Sequence, residues 1–368
     1  MYFQTRRRHE TQPISASHRL LPTLTPTMES GMPEPVTAAT MRLPDLAAIE
    51  AAANLIRPVV PPTPQILWPL LSQRAGAEVW VKHENHTLIG AFKIRGGLVY
   101  MHELKRREPS VTGVIAATRG NHGQSVAVAA RRAGLRAVIL VPHGNSTEKN
   151  AAMRAQGAEL IEHGLDFQDA FEEAMRRATR EWLHPMPSFH PALVCGVATY
   201  GFELFNGVPD LDTVYVPIGL GSGICGTIAS RNALGLRTKI VGVVAENAAA
   251  YALSFAQRRP VSTNSADTIA DGMACRVPMM EALESIWLGA ERVVTVSEDE
   301  IQAAMRHLFS DTHNVAEGAG AAPLAALLKE RNRMQGKRVG LVLSGGNVDL
   351  AVFRRVLSAA RESDGSPP

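Results

Sequence analysis

From Val111 onward the sequence alternates short apolar runs with amphipathic stretches, joined by polar, glycine-rich turns. No other feature limits the fold as much. Val111 to Ala117 reads as a strand and is followed by Thr118-Arg-Gly-Asn-His-Gly-Gln-Ser125; a helix then carries Val126 to Ala133 and stops at Gly134. Arg136 to Val141 is the next strand, and Asn145 and Ser146 cap a helix that ends at Gly157. Glu159 to Glu162 and the amphipathic stretch Asp166 to Trp182 repeat the unit. Val214 to Ile218, Lys239 to Val244, Arg292 to Val296 and Arg338 to Leu343 continue the strands. Ser297 with Glu300 forms a capping box that opens a helix. Strands that alternate with helices pair in parallel, and the helices cover both faces of the sheet. In such sheets ligands lie outside the carboxyl ends of the strands. The turns that follow strands are therefore where chemistry is expected.

Upstream, Asp45 caps a helix through Leu46, Ile49 and Ala53. Pro58 to Pro64 is a rigid extended connector, and Glu78 to Lys82 alternates as a strand. Residues 1–42 are rich in Pro, Thr and Ser and read as a disordered extension, and 363–368 as a tail. The hydrophobic content of 45% leaves ample material for two domain cores. A net charge of +3 is too small to imply a nucleic-acid partner, and the one dense basic run, Arg6 to Arg8, lies in the extension. Cys195, Cys225 and Cys275 lack C-x-x-C spacing, which argues against a disulfide framework or a structural zinc site. Reduced thiols fit a cytoplasmic protein. No apolar run has the length of a membrane span, so no membrane partner is expected.

Four places carry candidate chemistry. The first is Lys93, between Phe92 and Ile94 in the stretch Lys82 to Gly97. Burial lowers a lysine's pKa, and a neutral amine can form a Schiff base with an aldehyde; a lysine at a helix start can equally snorkel to solvent. The second is Gly120-Asn121-His122-Gly123, an anion site if its N–H groups open a helix, or an ordinary turn with Asn121 as cap. Arg119 beside it is a carboxylate ligand or a surface residue. The third, Gly219 to Gly226, has the shape of a phosphate cradle. It also contains Gly221-x-Gly223-x-x-Gly226, with Glu246 at the end of the next strand, which is the dinucleotide fingerprint of an NAD-dependent oxidoreductase. The fourth, Ser344-Gly345-Gly346-Asn347, is a plain turn or the partner of a heteroaromatic nitrogen. Pyridoxal 5'-phosphate accounts for all four, whereas a dinucleotide needs no lysine in an apolar run.

The motifs K-x-E-N and G-x-F-K-x-R-G around Lys93, G-N-H-G, the glycine-rich loop, A-D-G at Ala270 to Gly272 and S-G-G-N occur in that order. In this the chain resembles the fold-type II pyridoxal-phosphate enzymes. Within them it is similar to the serine/threonine dehydratase (threonine ammonia-lyase) and serine racemase family, and to a phenylserine dehydratase-like member of it. The likeness covers roughly residues 43 to 360. It implies an α/β fold of two parallel-sheet domains, like the tryptophan synthase β subunit, with the cofactor in the cleft between them. Residues 43–112 and 190–362 would form the large cofactor-binding domain and 113–189 a small mobile one. Lys93 would be the catalytic Schiff-base lysine. Phe92 would pack beside the ring, Asn121 would bond the phenolic oxygen, and Ser344 would face the pyridine nitrogen. Gly219, Leu220, Gly221, Ser222 and Gly223 would hold the phosphate, and Thr118, Arg119, Gly120, Asn121 and His122 the substrate carboxylate. A homodimer or higher homo-oligomer is implied.

The implied function is a lyase of amino acid metabolism. It would convert a β-hydroxy-L-amino acid of the threonine/serine type to a 2-oxo acid and ammonia by α,β-elimination. Three departures qualify this. Ala91 stands where the family has Ser or Thr, which enlarges and dries the site slightly and tilts it toward a bulkier β-substituent; with Arg119 it points to a substrate such as phenylserine or 3-hydroxyaspartate. Arg119 stands where a racemase has a hydroxyl, and a guanidinium is a poor base, so racemisation is not expected. Glu246 matches one ligand of the family's cation site, but Ala252 falls where the second belongs. No C-terminal regulatory domain, and so no control by isoleucine, is expected. A pyridoxal-phosphate-binding protein without lyase turnover is the further alternative.

Overall fold

Asp45 accepts a hydrogen bond from Ala48 N at 3.0 Å and opens the first helix, Leu46–Ile56, as the capping pattern requires. The computed structural model describes residues 41–359, so most of the expected 1–42 extension and the tail at 363–368 lie outside the described residues, while Met41, within that expected extension, is buried in the core. The strands are β1 (Gln65–Leu67), β2 (Glu78–His83), β3 (Gly113–Ala117), β4 (Arg136–Val141), β5 (Glu159–Glu162), β6 (His184–Pro185), β7 (Thr213–Pro217), β8 (Lys239–Ala245), β9 (Arg292–Val296) and β10 (Arg338–Leu343). They build two sheets, one ordered β1-β2-β10-β7-β8-β9 and one ordered β5-β4-β3-β6.

In the larger sheet β10 lies between β2 and β7, so that Leu341 pairs with Val81 on one side and Tyr215 on the other. All three are buried, as expected of a parallel sheet covered on both faces. One strand departs from the all-parallel expectation. β1 runs antiparallel to β2 at the sheet edge. Only the short helix Pro69–Ala75 separates the two strands, and a parallel crossover needs a longer connection. The smaller sheet is parallel throughout.

Two helices fix the region where the chemistry was expected. Helix Lys93–Arg107 lies against helix Pro191–Gly207. They approach so closely that a Cβ at Gly196 would lie 2.3 Å from Arg95 O, and one at Gly96 would lie 2.8 Å from Leu193 O. A Cβ at Gly97 would meet Ser125 Oγ at 2.2 Å. The glycines after Lys93 therefore serve packing, and they bring three helices together at its base.

Beneath this contact lies a buried charge network. Arg95 reaches Glu84 at 2.7 Å and Glu203 at 2.7 Å, and Lys82 reaches Glu203 at 2.6 Å. Thr63 donates to Glu84 at 2.6 Å, and Lys82 Nζ donates to Thr63 O at 2.9 Å. Two cations balance two anions, with their hydrogen-bonding capacity shared inside the cluster. Burial opposes the charge on Arg95, but Glu84 and Glu203 outweigh it and raise its pKa. Removing one partner strands a buried charge. Glu84→Ala is expected to lower unfolding free energy by about 3–5 kcal/mol in urea denaturation, and a loss under about 1 kcal/mol would show that the network is not a support.

Candidate active site

The strand-end turns converge on one cavity of about 150 Å³. Its lining includes Phe92, Lys93, Thr118, Arg119, Gly120, Asn121, His122, the Gly219 to Gly223 loop and Ser344. It also includes Lys149, Asp271 and Glu317. A second cavity, of about 230 Å³, sits over Arg95 and Glu203 and receives none of these turns.

Lys93 is the first residue of its helix, and Phe92 N–H bonds Ser344 O at 3.0 Å, which ties the lysine to the end of β10. Its amine stands 3.5 Å from Ser222 Oγ and 4.9 Å from the centre of the Phe92 ring. The Phe92 ring meets Tyr200 edge-on, with centroids 6.0 Å apart. Burial pulls the Lys93 pKa down to about 8, against the opposing attraction of Glu317. The amine faces the cavity and does not snorkel away from it. It can thus be neutral, and nucleophilic, near neutral pH.

The Gly219 loop leads directly into helix Ser222–Ala233. The first N–H groups of a helix have no partner within it and favour an anion. Gly221 has φ +102°, and a Cβ there would lie 2.6 Å from Ala282 Cβ. A Cβ at Gly219 would lie 2.3 Å from Gly272 O. Tyr251 holds the loop in place by donating to Leu220 O at 2.9 Å and accepting from Met279 N at 3.0 Å. Gly226, the third glycine of the dinucleotide pattern, faces Ala198 of the neighbouring helix. Glu246 is exposed and does not line the cavity. Among the described residues no three His, Cys, Asp or Glu side chains gather to hold a metal ion.

Helix Asn121–Arg132 begins at the Gly120 turn, five residues earlier than its apolar pattern indicated. Asn121 is not its cap. Its amide donates to Glu317 at 2.8 Å and 3.1 Å and accepts from Asn347 at 2.7 Å. Thr118 Oγ1 accepts from Gly120 N at 3.2 Å, which shapes the turn. His122 Nε2 is buried without a partner, and burial followed by the nearby Lys93 depresses its pKa to about 3. Arg119 is exposed at the cavity and has no hydrogen bond or ion pair among the described residues. Ala91 is fully buried and bridges Gly345, and it is not part of the lining. Its methyl therefore does not enlarge the cavity, contrary to the expectation from the sequence.

Three charged lining residues, Lys149, Asp271 and Glu317, received no role from the sequence. Burial and Asp271 push the Glu317 carboxyl up to about 7, while Lys149, the Asn121 hydrogen bond and Lys93 oppose the rise. Lys149 is buried and pairs with Asp271; burial opposes its charge, but Asp271 and Glu317 hold its pKa above the ordinary lysine value. Asp271 sits in the A-D-G motif, which signalled a site without a role. Glu317 precedes a run of small residues and reads as a helix cap, and Lys149 reads as one more surface lysine of a polar helix. Nearby, Ser146 bonds Asp349, and Leu350 N donates to Glu148 at 2.9 Å.

An amine of lowered pKa, an open helix N-terminus reached over glycines, and the Ser344 hydroxyl suit a ligand with an aldehyde, a phosphate and a heteroaromatic ring. Known proteins agree. The family described as pyridoxal-phosphate dependent enzyme matches residues 56–345. The chain is 33% identical over 316 residues to L-threonine ammonia-lyase of Thermotoga maritima, covering 85% of this chain and 78% of that one. Its fold superposes on the processed form of threonine deaminase isoform 2 from Solanum lycopersicum with a TM-score of 0.79 at 28% identity, covering 86% and 95% of the two chains. Maize serine racemase gives a TM-score of 0.80 at 26% identity, covering 88% and 100%.

The burial of Lys93 has a direct readout. In protein freed of pyridoxal phosphate, the acetylation rate of Lys93, followed by mass spectrometry against pH, should reach half its maximum near pH 8, where the amine loses its proton. A midpoint near the ordinary lysine value of 10.5 would show a solvated side chain.

Proposed function

The chain belongs to the pyridoxal-phosphate dependent enzyme family, and on that premise we propose that it is an ammonia-lyase of the EC 4.3.1 type, eliminating water from a β-hydroxy-L-amino acid of the threonine/serine kind. Pyridoxal phosphate is its cofactor, and its relatives of threonine ammonia-lyase type place it among serine/threonine dehydratase-like lyases. The observation that carries the finer reading is the meeting of Lys93, the Gly219 to Gly223 loop and Ser344 on one cavity.

Bound pyridoxal phosphate supplies an electron-withdrawing ring that acidifies the substrate's Cα–H. The protein's own groups divide the remaining work. Lys93 would hold the cofactor through its amine and then, once freed, take the proton from Cα, a task suited to an amine that titrates near neutrality. The N–H groups of the Gly219 to Gly223 loop would hold the phosphate, and Phe92 would fix the ring from one side. Ser344 is an alcohol, so it can hydrogen-bond a ring nitrogen without placing a full charge on it. That limits how far negative charge is drawn into the ring and favours prompt loss of the β-hydroxyl. Asn121 would face the phenolic oxygen, and the Thr118 to His122 turn would take the substrate carboxylate. Ammonia and a 2-oxo acid follow once the dehydrated product leaves and hydrolyses. The residue ranges 43–112 with 190–362 and 113–189 remain our division into a large lobe and a small mobile one. Exposed Ile66 and Leu67 on β1, with exposed Leu70 at the start of helix Pro69–Ala75, support a homodimer.

One observation favours a narrower substrate. Arg119 offers a guanidinium with no protein partner to the cavity, which suits a second carboxylate, as in 3-hydroxyaspartate, better than the ring of phenylserine. With Ala91 outside the lining, nothing adds room for that ring.

Threonine, serine, phenylserine and 3-hydroxyaspartate, each diastereomer, should be assayed for 2-oxo acid. Wild type is expected to be yellow and to release ammonia from at least one of them, and Lys93→Ala to lose colour and turnover together. A yellow protein with no ammonia release would favour a binding protein, and a Lys93→Ala variant with full activity would sink the reading. Arg119→Ser should lower kcat/KM for 3-hydroxyaspartate at least about tenfold more than for serine; equal effects on both would remove Arg119 from substrate choice.

A further inference from the structure

Glu317 precedes helix Gly318–Lys329 at the N-cap position, yet its side chain makes no cap hydrogen bond. The carboxylate, only 4% exposed, turns instead to the cavity, where both oxygens accept from Asn121 Nδ2, at 2.8 Å and 3.1 Å. The opposite end of the same amide is also engaged. Asn121 Oδ1 accepts from Asn347 Nδ2 at 2.7 Å, and Asn347 Nδ2 in turn is anchored on Ile89 O at 2.8 Å. A primary amide has one acceptor oxygen and two N–H donors. With the oxygen bound to Asn347 and one N–H directed to Glu317, the orientation of the amide is fixed. The single remaining N–H is the one group it can offer to the cavity.

The backbone is built around this arrangement. A Cβ at Gly345 would stand 2.6 Å from Glu317 Oε1, and one at Gly320 would stand 2.4 Å from Gly345 O. Glu317 N also donates to Gly345 O at 3.2 Å. The first glycine of S-G-G-N is thus required by the Glu317 side chain.

We propose that Glu317 is a positioning residue. Its ionised carboxylate orients the Asn121 amide so that the free N–H is presented to the phenolic oxygen of bound pyridoxal phosphate, and protonation of Glu317 releases that orientation. The inference rests on the reading of this cavity as the cofactor site. A carboxylate accepts with both oxygens, whereas a protonated carboxyl turns one oxygen into a donor that the amide nitrogen cannot accept. The charged groups that act on Glu317 come from three other elements: Asp271 from the turn Asp271–Met273, Lys149 from helix Thr147–Ala155, and Lys93 from its own helix. His122, beside Lys93 in the cavity, is held neutral by burial. Burial and Asp271 bring the carboxyl's pKa to about 7, so the switch falls near neutral pH.

The test uses the holoenzyme and reads its visible absorption band against pH together with the cofactor dissociation constant. Wild type should show a pH-dependent change in the band. Glu317→Gln keeps one acceptor oxygen and carries no charge, as the protonated carboxyl does, so it should hold the low-pH form of the band at every pH and lose that change. Glu317→Ala should bind the cofactor about 10- to 100-fold more weakly, the effect of losing a hydrogen bond to a charged group. If Glu317→Gln keeps the band change at the wild-type midpoint, the inference is overturned. If Glu317→Ala binds as wild type does, it is overturned as well, and if that variant does not fold the Gln arm decides. A wild type that takes up no pyridoxal phosphate would overturn the cofactor reading itself, and this inference with it.

Discussion

The burial of Arg95 between Glu84 and Glu203 is the interaction on which the active region rests. It joins the end of β2, the helix that starts at Lys93 and the helix that carries Glu203. An ion pair of this kind adds little over a well-packed apolar core, and its effect is chiefly on geometry. A guanidinium with two fixed carboxylates has one low-energy placement. The backbone two residues before it is held to match, and that backbone is Lys93. The close approach of the two helices at Gly96 and Gly196 has the same result from the other side. A lysine whose base is set by charge and by contact needs little reorganisation to act.

The cavity applies opposite electrostatic pressures to groups a few residues apart in function. Burial drives the Lys93 amine toward neutrality and the Glu317 carboxyl toward protonation, so both titrate within reach of neutral pH. Each also restrains the other, since their charges attract. Lys149 and Asp271 are a pair of the other kind, because their mutual attraction outweighs burial for Lys149 and keeps it charged. One cavity therefore contains both a fixed pair and a labile pair.

Much of this was legible in the sequence, for identifiable reasons. β4, β5, β9 and β10 coincide with the runs read from the sequence, because each run is short and bounded by polar, glycine or proline residues. The capping box at Ser297 and the cap at Asp45 form as read. Helix Pro191–Gly207 was not seen, because it is buried on most sides and has no polar face to give a period. β1 has three residues, too few for any alternation. Among site residues, those on strand-end turns were found through their glycines and their order along the chain. Glu317 and Lys149 were not, because their significance lies in which distant residue each one faces. Asn121 and Glu317 are 196 residues apart. Nothing in local pattern records such a meeting.

The contacts around the cavity mouth are polar: Asn121 with Glu317 and Asn347, Lys149 with Asp271, Ser146 with Asp349, and Glu148 with Leu350 N. On one side of each stands the region of the smaller sheet, and on the other that of the larger. An apolar seam exposes hydrocarbon when it parts, whereas water can take up each of these hydrogen bonds in turn at small cost. The rim of the cleft is thus wettable, while deeper in the fold one apolar cluster runs unbroken from Ile94, Leu98 and Leu193 to Val114, Ile139 and Met153. A reactant crossing that rim meets hydrogen bonds that water can replace one at a time, above a core that stays dry.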